Sequence, residues 1–369
     1  MAFVLSEEQT MLRDMAKQFF SEQVPVTNLR KLRDDESDDG FDRDVWKQIV
    51  ELGFAGILIP EDLGGTGFGP MGIGIVMQEA GRTLAASPLY STAILGAGMI
   101  MAAGSESQKK DLLPQVAAGE LLLALAIDEA NHHNPLNIAM TATKDGGDFV
   151  LNGEKRFVID GHTADKLIVA ARTSGTSGDA QGISTFLVDA DTAGVSITRT
   201  LMVDTRNAAN IAFDNVKIPA DALLGGLDAA YPELENVLDM GRVCLSAEML
   251  GGIETVFDTT LTYLKERKQF DAIIGTFQAL QHRAAEMFCE VEICQSVVLD
   301  ALSALEERRN DIPRAASLAK ARLSEASRLI TNEGVQMHGG IGMTDAVDVG
   351  LFLKRARVQA QMLGDANFH

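Results

Sequence analysis

Gln336-Met337-His338-Gly339-Gly340-Ile341-Gly342-Met343-Thr344, near the C-terminus, is the stretch from which the rest of the chain can be read. Gln336 and His338 end a helical stretch, and three glycines follow within four residues. With no Cβ in the way, a glycine backbone can come close to a flat or charged ligand. A glutamine beside such a turn both donates and accepts hydrogen bonds, which suits the edge of a nucleotide or flavin. Taken alone, the same letters also describe a helix C-cap and a tight turn. A second segment lies upstream: Arg267-Lys268-Gln269-Phe270, then Phe277-Gln278, His282 and Glu286-Met287.

The 369 residues suffice for two or three structural units with sizeable cores. A formal charge of −20 argues against a nucleic-acid surface, which needs clustered Lys and Arg, and points to a solvated acidic exterior. Cys244, Cys289 and Cys294 are an odd number with no metal-like spacing, so no metal site and no disulfide framework are expected. Cys289 and Cys294 fall in an apolar helical pattern and read as buried structural thiols. Met1-Ala2-Phe3 leads into a helix with no basic segment and no long apolar core, which predicts no secretory signal and a cytoplasmic protein. Leu121 to Ile127 is apolar but too short to span a bilayer, so no membrane segment is expected.

Apolar residues recur at helical spacing over 5–23, with Ser6 and Gln9 placed as a capping box. Further helices are predicted over 45–52, 72–86, 91–103 and 106–118, and the acidic run 34–39 reads as a solvated loop. From Leu121 the texture changes to short runs at 149–151, 156–159, 167–170, 185–188 and 195–197. They are separated by Gly-Gly, Asn-Gly and Asp-Gly, the rhythm of antiparallel β-structure, and Val216 to Pro219 closes the region. Long helical patterns return near 232–269, 275–305, 313–336 and 346–363. Gly64-Gly65-Thr66-Gly67-Phe68-Gly69 has the wrong spacing for a dinucleotide loop, and no βαβ unit follows it. It reads as a turn between strand-like 56–59 and the helix from Met71.

The two C-terminal segments together, R-K-x-F…F-Q…H…E-M and Q-x-H-G-G-x-G, resemble the acyl-CoA dehydrogenase family of FAD flavoproteins. Leu5-Ser6-Glu7-Glu8-Gln9, Pro60-Glu61-Asp62-Leu63-Gly64-Gly65 and Asn152-Gly153-Glu154-Lys155-Arg156-Phe157-Val158 extend the resemblance along the chain. It implies a helical N-terminal domain (1–120), an antiparallel β-barrel middle domain (121–225) and a C-terminal four-helix bundle (226–369). It also implies α,β-dehydrogenation of an acyl-CoA, with electrons passed to electron-transfer flavoprotein. The family's FAD sites span subunits, which implies a homotetramer or an α2β2 assembly. Arg267 matches the arginine on the FAD pyrophosphate, where a planar guanidinium can bind two oxygens. Gln269 and Phe270 match positions along the adenosine. Gln336, Gly339 and Gly340 match those that approach FAD from a neighbouring subunit, and Phe157 matches the aromatic beside the flavin ring. Phe277, Gln278 and His282 read as packing positions.

Departures from the pattern concentrate on the chemistry. The threonine expected near the flavin is Ile159, and the family's T-E-P-x-A-G-S-D segment is replaced by Ile127-Asp128-Glu129-Ala130-Asn131. A carboxylate must stand close to the substrate α-proton to remove it. The family's first position for that glutamate holds Leu363. Its second, just before Arg242, holds Gly241. Glu248 lies two helical turns beyond Gly241 on the same face and is the candidate substitute base; the alternative for it is a buried ion pair. Asp348, Asp239 and Asp365 are lesser candidates, and Arg242 is a candidate substrate contact. A second reading therefore stands beside the first, a catalytically silent subunit that completes FAD sites while a sister chain carries the base.

Overall fold

The computed structural model describes residues 5–369; Met1-Ala2-Phe3, on which the expected absence of a signal rests, lie outside the described residues. In chain order the helices are α1 (Glu7–Gln23), α2 (Val26–Asp34), α3 (Arg43–Glu51), α4 (Gly69–Arg82), α5 (Ala97–Ala103) and α6 (Glu106–Ala117). After the strands come α7 (Tyr231–Glu266), α8 (Gln278–Glu306), α9 (Ile312–His338) and α10 (Val349–Gln361). The strands are β1 (Leu123–Ala126), β2 (Thr141–Asp145), β3 (Asp148–Ile159), β4 (Lys166–Arg172) and β5 (Ile183–Asp189). They continue with β6 (Val195–Leu201), β7 (Asn207–Ile218), β8 (Leu223–Leu224) and a small hairpin, β9 (Lys268–Gln269) and β10 (Ala272–Ile273). The described residues form two compact units, one of 5–31, 70–85 and 242–369, the other of 32–69 and 86–241.

The first unit is helical. Ser6 and Gln9 form the expected capping box at the start of α1, with Gln9 N–H donating to Ser6 Oγ at 3.1 Å and Ser6 N–H to Gln9 Oε1 at 2.9 Å. The α4 and α7 backbones come close because two positions lack side chains. A Cβ on Gly81 would lie 2.0 Å from the Glu248 carbonyl oxygen, and one on Gly251 would lie 1.9 Å from that of Gln78. Arg30 reaches Asp348 at the head of α10 (2.7 Å) and Asp345 (2.8 Å), which pins that helix to α2. Cys294 is buried, as expected, and burial pushes its thiol up to about 12. Cys289 is a correction. It is exposed, since the apolar pattern of α8 has two faces and this residue falls on the outward one.

The second unit is built on one sheet, ordered β6-β7-β3-β2-β4-β5-β8, with β1 also paired to β4. Its core packs Phe149 against Phe186, with ring centres 5.0 Å apart. Two features differ from the expected antiparallel barrel. The sheet does not close, because its terminal strands β6 and β8 are not paired with each other. β1 and β2 both pair with β4 in parallel, since the 127–140 loop returns the chain to the same strand edge. The acidic run is a loop, as expected, but not simply a solvated one. Arg199 donates to the Ser37 carbonyl at 2.6 Å, Asn207 to that of Asp39 at 2.9 Å, and His162 Nε2 lies 3.2 Å from that of Asp38. Residues 56–59, read as strand-like, form turns, because their N–H groups and carbonyls bond within residues 54–69 instead of joining a sheet.

Candidate active site

The first unit brings together the two segments that carried the sequence reading. α7 ends at Glu266, and the chain turns at once into the β9–β10 hairpin. Phe270 and Asp271 form its two-residue tip, with φ of +54° and +61°. Two left-handed residues in succession match the twist of a tight hairpin, but Asn or Gly normally occupies them. Here the tip carries a phenylalanine that is 88% exposed, with its ring edge-on to Phe277 at 6.4 Å. Phe277, Gln278 and His282 are themselves exposed. Arg267 and Gln269 are exposed as well, and Arg267 has no acidic partner among the described residues.

α9 ends beside this hairpin. His338 stacks on Tyr263 with ring centres 4.4 Å apart, and the Tyr263 hydroxyl donates to the His338 carbonyl at 3.2 Å. His338 Nδ1 lies 2.6 Å from the Gly334 carbonyl. Tyr263 precedes Arg267 by one helical turn and His338 follows Gln336 by two residues, so one stack fixes both segments. Gly339 caps α9 with φ +63°. A Cβ on Gly339 or Gly340 would meet nothing within 4 Å, whereas one on Gly342 would lie 2.4 Å from the Val335 carbonyl oxygen. Packing explains Gly342, and the positive φ explains Gly339. Among the described residues, none comes close enough to require glycine at 340.

In the second unit, β3 bulges against β7 between Lys155 and Val158. Phe157 stands at the bulge with φ +54°, is 54% exposed, and its N–H donates to Asn210 Oδ1 at 3.3 Å. Ile159 is half-buried and offers no hydroxyl. Beneath the bulge lies a pair that sequence reading missed. Lys155 is fully buried, and its ammonium donates to Glu129 Oε1 at 2.7 Å and to the Ile127 carbonyl at 2.8 Å. Glu129 Oε2 in turn accepts from Ala139 N–H at 2.8 Å. Burial lowers the Lys155 pKa and the charge of Glu129 opposes that shift. Asp128 accepts from Asn134 N–H at 3.2 Å and lies 2.9 Å from His133 Nδ1. The segment that replaces T-E-P-x-A-G-S-D is therefore an ordered loop built around its own two acids.

At the first base position, Leu363 is buried with φ +53°, an uncommon conformation for a leucine. Two buried cations hold this turn. Arg242 Nε donates to the Leu363 carbonyl at 3.3 Å, and Lys320 Nζ donates to the Gly364 carbonyl at 2.7 Å and the Ala360 carbonyl at 3.2 Å. Burial brings Lys320 down to about 7, with Asp365 pulling the other way and Arg242 adding to the drop. The Arg242 guanidinium also lies over the Phe368 ring, 5.7 Å from its centre. At the second base position, the Gly241 carbonyl accepts from the Tyr90 hydroxyl at 3.1 Å. Glu248 is buried in a two-pronged pair with Arg355, whose Nε donates to Oε1 and Nη2 to Oε2, both at 3.0 Å. Asp348 is engaged by Arg30, and Asp365 Oδ1 accepts the Asn367 and Phe368 N–H groups. Asp239 is buried.

Among the described residues no group of three His, Cys, Asp or Glu side chains is placed to hold a metal ion, and no helix is long and apolar enough to cross a membrane. The chain matches the acyl-CoA dehydrogenase N-terminal domain over residues 6–120, the middle domain over 125–216 and the C-terminal domain over 233–369. It is 31% identical to a probable acyl-CoA dehydrogenase, YngJ, of Bacillus subtilis, covering 97% of this chain and 94% of that one. It is 29% identical to the caffeyl-CoA reductase-Etf complex subunit CarC of Acetobacterium woodii, covering 96% and 93%. The solved ChsE4-ChsE5 complex of Mycobacterium tuberculosis superposes with a TM-score of 0.90 at 25% identity, covering 100% of this chain and 96% of that one.

Proposed function

As the chain belongs to the acyl-CoA dehydrogenase family of FAD-dependent oxidoreductases, we propose that it takes part in α,β-dehydrogenation of an acyl-CoA thioester and passes electrons to electron-transfer flavoprotein. One observation carries this reading. The Tyr263–His338 stack fixes an exposed Arg267, with no acidic partner among the described residues, beside a glycine turn at whose position 340 a Cβ would meet no described atom within 4 Å. That combination fits an anionic cofactor that the backbone can approach closely. Arg267 would hold the pyrophosphate of FAD, and Gln269 and Phe270 its adenosine end. Gln336, Gly339 and Gly340 would approach it across a subunit boundary. Phe157 would flank the flavin ring from the β3 bulge. When bound, FAD supplies the acceptor for the hydride that leaves the substrate β-carbon.

Removal of the α-proton is a separate requirement, and here the second reading gains support. Leu363 and Gly241 offer no carboxylate. Glu248 has both oxygens engaged by Arg355 and would have to break that pair to reach a substrate. An assembly in which a sister chain supplies the base accounts for both facts, and the complex of two different chains among its structural relatives is in keeping with it. We take the chain to be cytoplasmic and tetrameric, α2β2 with a sister subunit or else homomeric, with Glu248 the residue to test if it acts alone. Arg242, buried against the 363–364 turn, would act on substrate through the shape of that turn. The deciding experiment is to purify the chain alone and again with candidate sister chains co-expressed, and to compare flavin content and acyl-CoA turnover. Flavin absent from both preparations would end the cofactor assignment.

A further inference from the structure

A cleft of about 660 Å³ opens in the helical unit between α1, α4, α7 and α8. That volume lies within the ordinary range of small-molecule sites, roughly 300–1,000 Å³. Its two ends differ in chemistry. Arg13 and Lys17 stand one turn apart on α1 and both line the cleft; Arg13 is paired with Asp14, also in the lining, at 3.2 Å, and the Lys17 ammonium forms no salt bridge among the described residues. Ile75, Leu250, Val298, Leu299 and Leu302 supply an apolar wall. Glu79, only 4% exposed, also lines the cleft. Its one salt bridge among the described residues is to Arg82 at 3.3 Å, itself paired with Glu254 at 2.5 Å, while Lys17 and Arg13 act on its charge from farther off. A buried carboxyl held by one long, shared contact is costly, and a bound ligand would relieve that cost.

We propose that this cleft is a second ligand site and that it takes a medium-length alkyl carboxylate, its head at Lys17 and Arg13 and its chain along Ile75, Leu250, Leu299 and Leu302. Burial raises the Glu79 pKa, and the charges of Arg82, Lys17 and Arg13 oppose that shift. An amine ligand would meet cations at the mouth, and a wholly apolar one would leave Glu79 with its single shared contact.

The test uses decanoate and the FAD-loaded full chain in a calorimetric titration. One decanoate should bind per chain. Lys17→Glu should weaken binding about tenfold or more, as loss of a charge-assisted contact implies. Leu299→Trp should fill the cleft and abolish binding, with the flavin spectrum unchanged. No binding at millimolar decanoate, or binding that survives both substitutions, overturns the proposal; the second result would place the ligand elsewhere, the acyl-CoA site included. If Leu299→Trp fails to fold, Lys17→Glu on the exposed face of α1 decides alone.

Discussion

Glu248→Gln keeps the size of the side chain and removes its charge, so it separates a structural carboxylate from a chemical one. In the protein both Glu248 oxygens accept from Arg355 at 3.0 Å, and both side chains are buried. The substitution removes the carboxylate charge that the buried Arg355 guanidinium pairs with. Breaking a buried pair from one side costs about 3–5 kcal/mol. With an unfolding entropy of about 2.1 cal/mol/K per residue over 369 residues, that loss lowers Tm by about 4–6 °C. The assay is calorimetric unfolding of the FAD-loaded protein, with flavin reduction by acyl-CoA followed in parallel. Glu248→Leu with Arg355→Met should recover most of the loss, because neither charge is then stranded. A Tm within about 1 °C of the parent, together with abolished flavin reduction, would refute the structural reading and make Glu248 the base.

Arg267→Ala should weaken FAD binding by about 1.5–3 kcal/mol, read from the fluorescence of released flavin, with little change in the stability of the cofactor-free chain. Gly340→Ala and Gly342→Ala should part company. The first should lower FAD affinity and leave folding intact. The second should destabilise by about 1–3 kcal/mol in denaturant, because its Cβ must displace the Val335 carbonyl. The pH dependence of Lys320 has a definite sign. Its folded pKa of about 7 lies below the ordinary lysine value of 10.5, so the unfolded chain binds more protons between those values. The penalty for burying the charge is therefore full below pH 7 and fades as pH rises. Stability should climb between pH 7 and 9 by up to about 1.4 kcal/mol per unit, and Lys320→Met should lack that climb.

Features with local physical causes are legible in the sequence itself. The Ser6–Gln9 box is a matter of four residues, and it stands as read. The long helices α7 to α10 follow their apolar periodicity to within a few residues. β7 shows in the sequence only at its end. Its buried positions include Ala208 and Ala209, which give no β-branched or aromatic signal although they are fully buried. Residues 56–59 mislead in the opposite sense, since an apolar run beside glycines serves a turn as well as a strand. At the site, the residues that face outward, such as Arg267, Phe270 and Gln336, are legible through motif and order. The residues that hold them are not. Tyr263 and His338 are 75 positions apart, and no local pattern announces that they stack. Lys155 and Glu129 each look like a surface charge until the fold buries their pair. The same limit applies to Glu248, where the sequence admits both base and ion pair and only the position of Arg355 supplies its partner.

The central proposal is that Arg267, Gln336 and the 339–340 turn serve FAD and that the base which takes the α-proton comes from a sister chain. Anaerobic reduction of the bound flavin by acyl-CoA tests it most directly, measured for the isolated chain and for an assembly with a sister subunit. The isolated chain should bind FAD but reduce it about 10²–10⁴-fold more slowly than the assembly, the usual contribution of a general base. Rapid reduction by the isolated chain, undiminished in Glu248→Gln, would contradict the account.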